Sequence, residues 1–276
     1  MAPRAASLAA AAAGAHADPL CWRHSSDERR APPENRGNCN VFHSPRFESA
    51  EFATSVAELA ALNEASLALL PELAFVGRSN AGKSTAINLL TQRRRLAFSS
   101  KTPGRTQMLN FFAVLDDAPL AQRRACAYLV DLPGYGYAKT DAQTRERWDG
   151  LVGGYLLGRR MLRGVVLVMD ARRPCLPADE ELVAWICGRD DLEHFRLHML
   201  LSKADQIGTM ARRAALAQAE SWAEALPLAA SVQLYSALDR SGLDELREAA
   251  AQMLEGGPVE EESTPSPPPP AADSLI

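Results

Sequence analysis

The sequence predicts an α/β protein: a doubly wound, mostly parallel six-stranded sheet flanked by helices, with disordered tails at both ends. Three observations carry this reading. Short apolar runs alternate with segments whose apolar residues recur at helical spacing. The apolar run Leu73–Val76 leads directly into Gly77-Arg-Ser-Asn-Ala-Gly-Lys-Ser84, which fits G-x-x-x-x-G-K-[ST] and opens a helix-like run, Ser84–Leu90. Beyond residue 255, Gly-Gly-Pro, a Glu run and Pro267–Pro270 cannot build a core. The expected organisation is an extension over 1–46, a domain over 47–255 and a tail over 256–276.

Residues 1–46 are rich in Ala, then in Pro, Arg and Asn, without sustained periodicity. Leu8–Ala17 has the outline of a secretory core and cleavage site, but it is nearly all alanine and only Arg4 precedes it. Disorder, or an overlong start, is expected there. Phe47–Leu62 places Phe52, Val56, Leu59 and Ala60 at helical spacing, which predicts a short lead-in helix. Leu73–Val76 is the first strand and Ser84–Leu90 the first main helix. Met108–Leu115 and Ala125–Val130 are strands joined by a turn region at 116–121, so they pair antiparallel. Thr144–Leu157 sets Trp148, Leu151, Val152, Tyr155 and Leu156 on one helical stripe, a packing face. Gly164–Asp170 is a continuous apolar run of the kind buried in a parallel sheet. Ala178–Cys187 and Met210–Ala225 read as helices, and Leu197–Leu201 and Ser231–Tyr235 as strands. Leu243–Leu254 closes the domain as a helix after a turn at Asp239–Gly242.

A hydrophobic content of 47% over 276 residues is ample for a core. No run reaches the roughly 18–20 apolar residues of a membrane helix. The net charge of −4 is uneven: residues 1–47 carry six Arg against four acids, and residues 255–276 carry five acids and no base. The middle is nearly neutral, so charge balance neither demands nor excludes a nucleic-acid partner. Only four of the 30 basic residues are lysine (Lys83, Lys101, Lys139 and Lys203), each in a segment assigned to the nucleotide site. Lysine in an arginine-biased chain marks places that want a compact point charge. The five cysteines lack any C-x-x-C pair and read as reduced thiols of a cytosolic protein.

The chemistry lies in the loops. In Gly77, Arg78, Ser79, Asn80, Ala81, Gly82, Lys83 and Ser84 the glycines let the backbone wrap a phosphate chain, and the following helix adds its positive end. Lys83 is expected to reach the β- and γ-phosphates, with its stem solvated when no nucleotide is bound, and the Ser84 hydroxyl to ligate Mg²⁺. Asp131-Leu132-Pro133-Gly134 ends an apolar strand. Its carboxylate can hold Mg²⁺ through a water, and the Gly134 N–H can sense a γ-phosphate. Ser202-Lys203-Ala204-Asp205 fits [NT]-K-x-D except at its first position. Asp205 can accept from guanine N1–H and N2–H₂, which adenine does not offer, while the Lys203 stem covers the base. Ser236 and Ala237 follow the last strand and present a backbone N–H for guanine O6. Between the first two motifs lies Lys101-Thr-Pro-Gly104-Arg105-Thr106-Gln107, in which Thr106 is the candidate second Mg²⁺ ligand.

The strings GRSNAGKST, KTPGRTQ, DLPGYGYA, SKAD and YSAL, in this order, resemble the EngB (YihA/YsxC) family of bacterial GTPases related to translation factors. The resemblance runs from Phe47 to Leu254. It implies a single P-loop GTPase domain in the bacterial cytoplasm that binds Mg²⁺ with GTP or GDP. It further implies a role in assembly of the large (50S) ribosomal subunit on a precursor particle, with a link to cell division and septation. Ser84 and Thr106 match the family's magnesium ligands. Gly77–Ser84, Gly104–Met108, Asp131–Gly134, Lys203–Gln206 and Tyr235–Ala237 match its nucleotide-contact segments. Lys83, Thr106 and Gly134 are the residues expected to act in hydrolysis, and a monomer is expected.

Many regulatory GTPases carry glutamine just after D-x-x-G to orient the attacking water. Here that position is Tyr135, which cannot do so, and intrinsic hydrolysis is expected to be slow. In potassium-activated relatives an asparagine at the position of Asn80 offers its oxygen to K⁺, so K⁺ is a candidate activator. An rRNA contact must come from the domain surface, with Arg93–Arg95, Arg123–Arg124, Arg159–Arg160 with Arg163, and Arg172–Arg173 as candidates. The rival reading is a GTP-loaded switch that recruits division or signalling partners.

Overall fold

Strands that read as unbroken apolar runs do so because both their faces are covered. The computed structural model describes residues 45–64, 67–98, 108–136 and 146–255. The strands are β1 (Arg46–Val56), β2 (Glu72–Gly77), β3 (Leu109–Leu115), β4 (Ala125–Asp131), β5 (Leu162–Asp170), β6 (Arg196–Ser202) and β7 (Ala229–Leu234). They form one sheet in the order β1-β3-β4-β2-β5-β6-β7. β1, β3 and β4 pair antiparallel, and every other pairing is parallel. The helices are α1 (Ala60–Glu64), α2 (Lys83–Leu90), α3 (Gly154–Gly158), α4 (Pro177–Ile186), α5 (Thr209–Glu224) and α6 (Leu243–Glu255).

Alternate strand residues go to opposite layers, as the two-residue period requires. Ala74, Val76, Val165, Leu167, Met199 and Leu201 pack with Tyr155 of α3, Leu182 and Ile186 of α4, and Ala215 and Ala219 of α5. Leu73, Phe75, Val166, Val168 and Leu200 pack on the other side with Ile87 and Leu90 of α2 and Leu246 and Met253 of α6. Each fully buried side chain of this size contributes about 1.5–3 kcal/mol, so the sheet is held firmly from both faces. At the end of the sheet where β2 begins, the fully buried Glu72 accepts hydrogen bonds from Tyr155 Oη (2.7 Å) and from Arg159 Nε (2.9 Å). This closes the end of the sheet remote from the loop that follows β2.

The sheet has seven strands rather than six, because most of the expected lead-in helix is β1. Its pairing with β3 is irregular, shifting between Arg46 and Glu51 and again between Phe52 and Thr54. The buried residues therefore fall at Phe47, Ala50 and Val56, an uneven spacing that bulges impose on a period of two. Phe52, on the outer face, packs edge-on against its cross-strand partner Phe112 with ring centroids 6.3 Å apart. Only α1 remains of the helix. The expected helix over Thr144–Leu157 is present within the described residues as a π turn at Asp149–Gly153 running into α3. Its stripe of Leu151, Val152, Tyr155 and Leu156 is buried as expected.

Candidate functional site

Four segments meet beyond the C-terminal ends of β2, β4, β6 and β7, the edge where an open α/β sheet presents its ligands. The first is the loop Arg78–Gly82. Gly82 precedes α2 at φ 107°, which only glycine adopts without strain. Asn80 is left-handed too, at φ 63°, and asparagine is among the few residues that tolerate this. Its side chain is exposed and meets no hydrogen-bond partner among the described residues.

The second segment, Asp131–Gly136, is tied to this loop. Ser79 N–H donates to the Tyr135 carbonyl at 3.0 Å, and Arg78 bridges to Tyr135 in parallel fashion. A Cβ at Gly134 would stand 3.2 Å from Ser79 N and 3.3 Å from the Gly77 carbonyl oxygen, so the approach favours glycine. The Lys83 ammonium pairs with the Asp131 carboxylate, and the two side chains are only 11% and 5% exposed. This corrects the expectation of a solvated Lys83. Leu132 is buried in the core, and the Pro133 carbonyl accepts from Trp148 Nε1 at 3.0 Å.

The third segment is Ser202–Gln206. The Ser202 hydroxyl donates to the Ala81 carbonyl, so serine at the departing position still braces the phosphate-type loop. Lys203, itself left-handed at φ 58°, donates from Nζ to the Asn80 carbonyl at 2.5 Å and to Asp170 Oδ2 at 2.9 Å. Ala204 N–H donates to the Tyr235 carbonyl at 3.0 Å, and Asp205 Oδ1 accepts from the Ser236 hydroxyl at 2.8 Å. The fourth segment, Tyr235–Ala237, is thereby joined to the third. Tyr235 is buried, which pushes its phenol up to about 12. Gln206 and Met108 are exposed. Gly104, Arg105, Thr106 and Gln107 lie outside the described residues.

Two features were not read from the sequence as parts of the site. Asp170, at the end of β5, accepts Arg172 Nε (2.9 Å) and Nη2 (2.6 Å) as well as Lys203. Arg172 is thus tied to its own strand end rather than free for an outside partner. The signal was present: Asp170 ends its apolar strand as Asp131 ends β4. The second feature is Asp179 as the partner of Tyr135, which is 6% exposed and donates from its hydroxyl to Asp179 Oδ1 at 2.5 Å. Its ring lies 5.7 Å from that of Trp148, which lies 5.7 Å from that of Trp185. Burial raises the Asp179 pKa, opposed by the bonds from Tyr135 and from the Leu176 N–H.

A glycine-containing strand–loop–helix turn, joined directly to the ends of two other strands of one mostly parallel sheet and through them to a third, defines a P-loop nucleotide-binding protein. Residues 72–200 match the model of a family described as a 50S ribosome-binding GTPase. The chain is 41% identical over 214 residues to "Probable GTP-binding protein EngB" of Coxiella burnetii (strain RSA 331), covering 78% of this chain and 97% of that protein. Identity to the protein of the same name from Dechloromonas aromatica (strain RCB) is 45% over 217 residues, covering 76% and 90%. A solved structure of Era in complex with MgGDPNP and a segment of 16S ribosomal RNA superposes with a TM-score of 0.50 at 24% identity, covering 71% of this chain and 60% of that one. This last likeness shows the fold alone. The chain belongs to the EngB family of GTP-binding proteins and is a P-loop GTPase.

Proposed function

We propose that the four segments together bind GTP with Mg²⁺, and that the chain uses GTP hydrolysis to act in assembly of the large ribosomal subunit in the bacterial cytoplasm, with consequences for cell division and septation. The observation that carries the site reading is the pair of braces Ser202–Ala81 and Lys203–Asn80. They join the segment able to read guanine to the loop able to cradle phosphates. In this reading Arg78–Ser84 wraps the phosphates, and Lys83 exchanges Asp131 for phosphate oxygens. Asp205 accepts from guanine N1–H and N2–H₂, and Ser236 and Ala237 face O6.

The Ser84 hydroxyl, and Asp131 through a water, are hard oxygen donors that fit Mg²⁺. Thr106, outside the described residues, is the remaining candidate. The ion supplies charge neutralisation along the phosphates. In this reading Gly134, which lies close against Ser79, senses the γ-phosphate through its N–H. Tyr135 contributes no water-orienting group, because its hydroxyl is committed to Asp179 inside the core. Hydrolysis is therefore slow until a bound partner or an ion such as K⁺ assists.

The ribosomal half of the proposal rests on the description of the matched family. Of the arginine clusters, Arg159 is paired with Glu72 and Arg172 with Asp170. Arg93–Arg95 is exposed after α2 and is the cluster best suited to phosphate contacts with rRNA. Co-sedimentation with precursor 50S particles tests the assignment. Binding with a GTP analogue and release with GDP is expected; no particle binding in either state would favour a switch that recruits other partners.

A further inference from the structure

Lys203 has a Cβ yet sits at φ 58°, a conformation that persists only where its surroundings hold it. Its backbone takes part in a tight turn, with Gln206 N–H donating to its carbonyl at 3.0 Å. Its ammonium is fixed at both available sides, by the Asn80 carbonyl at 2.5 Å and by Asp170 Oδ2 at 2.9 Å. The four-carbon stem is thus stretched between the Ser202–Asp205 turn and the loop before α2.

The Asp170 carboxylate, 22% exposed, accepts bonds from two cationic side chains. Arg172 grips it with two parallel bonds, Nε to Oδ1 at 2.9 Å and Nη2 to Oδ2 at 2.6 Å, and adds its backbone N–H to Oδ1 at 3.0 Å. Such a fork fixes orientation as well as charge. Burial works against ionisation here, but the bonds from Arg172 and Lys203 outweigh it and hold the carboxyl well below the usual range.

We infer that Asp170, oriented by Arg172, is a positioning residue for guanine-nucleotide affinity, because it pins the Lys203 stem as the wall on which the base lies. Neither Asp170 nor Arg172 touches the nucleotide; both act through Lys203. The inference rests on the assignment of Lys203 and Asp205 to the guanine end of the site. It explains how serine serves at position 202: the single bond to Ala81 is supplemented by a second tie, from Asp170 through Lys203 to Asn80.

A wall supports any purine, whereas Asp205 reads the N2–H₂ group. Asp170→Ala should therefore weaken GTP, GDP and ITP by the same factor, about tenfold for one charge-assisted bond. The kcat at saturating GTP should stay within about twofold, since ground state and transition state lose the same contact. Arg172→Ala, which loosens Asp170 but leaves its bond to Lys203, should act in the same direction and less strongly. Asp205→Asn is the control, and it should collapse the preference of GTP over ITP.

The experiment measures binding of GTP, GDP and ITP, together with kcat and KM, on the full chain. An unchanged GTP-to-ITP ratio in Asp205→Asn overturns the site reading itself. A collapsed ratio there, with unchanged affinity in Asp170→Ala, overturns only the role of Asp170. Lower melting without an affinity change likewise makes Asp170 merely structural. If Asp170→Ala does not fold, Asp170→Asn and Arg172→Ala carry the same comparison, and unchanged KM in both is then the contrary result.

Discussion

Replacing Lys83 by alanine should damage the nucleotide-free fold as well as binding. The Lys83 ammonium is the partner of Asp131, and the two side chains are 11% and 5% exposed. Removing one member of a buried pair leaves an uncompensated charge, which costs about 3–5 kcal/mol. Slight exposure and the positive end of α2 nearby offset part of this, leaving about 2–4 kcal/mol. In a domain of this size 1 kcal/mol moves the melting midpoint by about 2–4 °C. The nucleotide-free midpoint should therefore fall by about 4–16 °C. The double variant Lys83→Ala with Asp131→Ala should recover part of the loss, with a coupling of about 1–3 kcal/mol. The assay is thermal or urea unfolding of wild type, both single variants and the double variant without nucleotide. A Lys83→Ala midpoint within about 1 °C of wild type would mean that the pair does not support the fold and that Lys83 is a ligand-binding residue only.

Tyr135→Phe removes the donor to the buried Asp179 carboxylate and should cost about 1–3 kcal/mol in urea unfolding; an unchanged midpoint would mean the bond is not formed. His198 is buried between Ser231 Oγ and Gln233 Oε1, each 2.8 Å from a ring nitrogen. Burial lowers its pKa from 6.5, opposed by the bond to Gln233. The unfolded chain takes up the proton first on acidification, so the stability linked to His198 is present above 6.5 and lost as pH falls through the lower folded value. His198→Gln should flatten stability between pH 7.5 and pH 5; an equal slope in both proteins would contradict this. K⁺ should raise single-turnover GTP hydrolysis above the rate in Na⁺, and Asn80→Ala should abolish the difference. Equal rates in the two salts, with and without ribosomal particles, would exclude Asn80 as a cation ligand.

The strands β2 to β6 were legible because each is a short, largely apolar run of the kind a sheet covered on both faces demands; β7, an edge strand with no fully buried residue, was legible from its place in the strand–helix alternation. β1 was not, because the residues that suggested a helix, Phe52, Val56, Leu59 and Ala60, straddle its end, and its bulges break the two-residue alternation that would have marked a strand. The motif loops were legible because a phosphate-binding turn and a strand-end K-x-D are local patterns. What joins them was hidden: Lys83 meets Asp131 across 48 positions, Lys203 meets Asp170 across 33, and Tyr135 meets Asp179 across 44. Those contacts follow from strand order, and no local window of sequence contains strand order. The solvated Lys83 was expected for the same reason, since nothing near it in sequence announces Asp131 as its partner.

The proposed guanine-specific site turns on Asp205. Asp205→Asn turns one acceptor into a donor facing guanine N2–H₂, and the C2 carbonyl of xanthine complements that donor. Affinity for GTP should fall by about 1–3 kcal/mol while affinity for XTP rises. The direct measurement is a titration of wild type and Asp205→Asn with GTP and with XTP, alongside an unfolding curve showing that both proteins are folded. The preference should reverse. A folded variant that still prefers GTP, at the wild-type affinity, would contradict the role of Asp205.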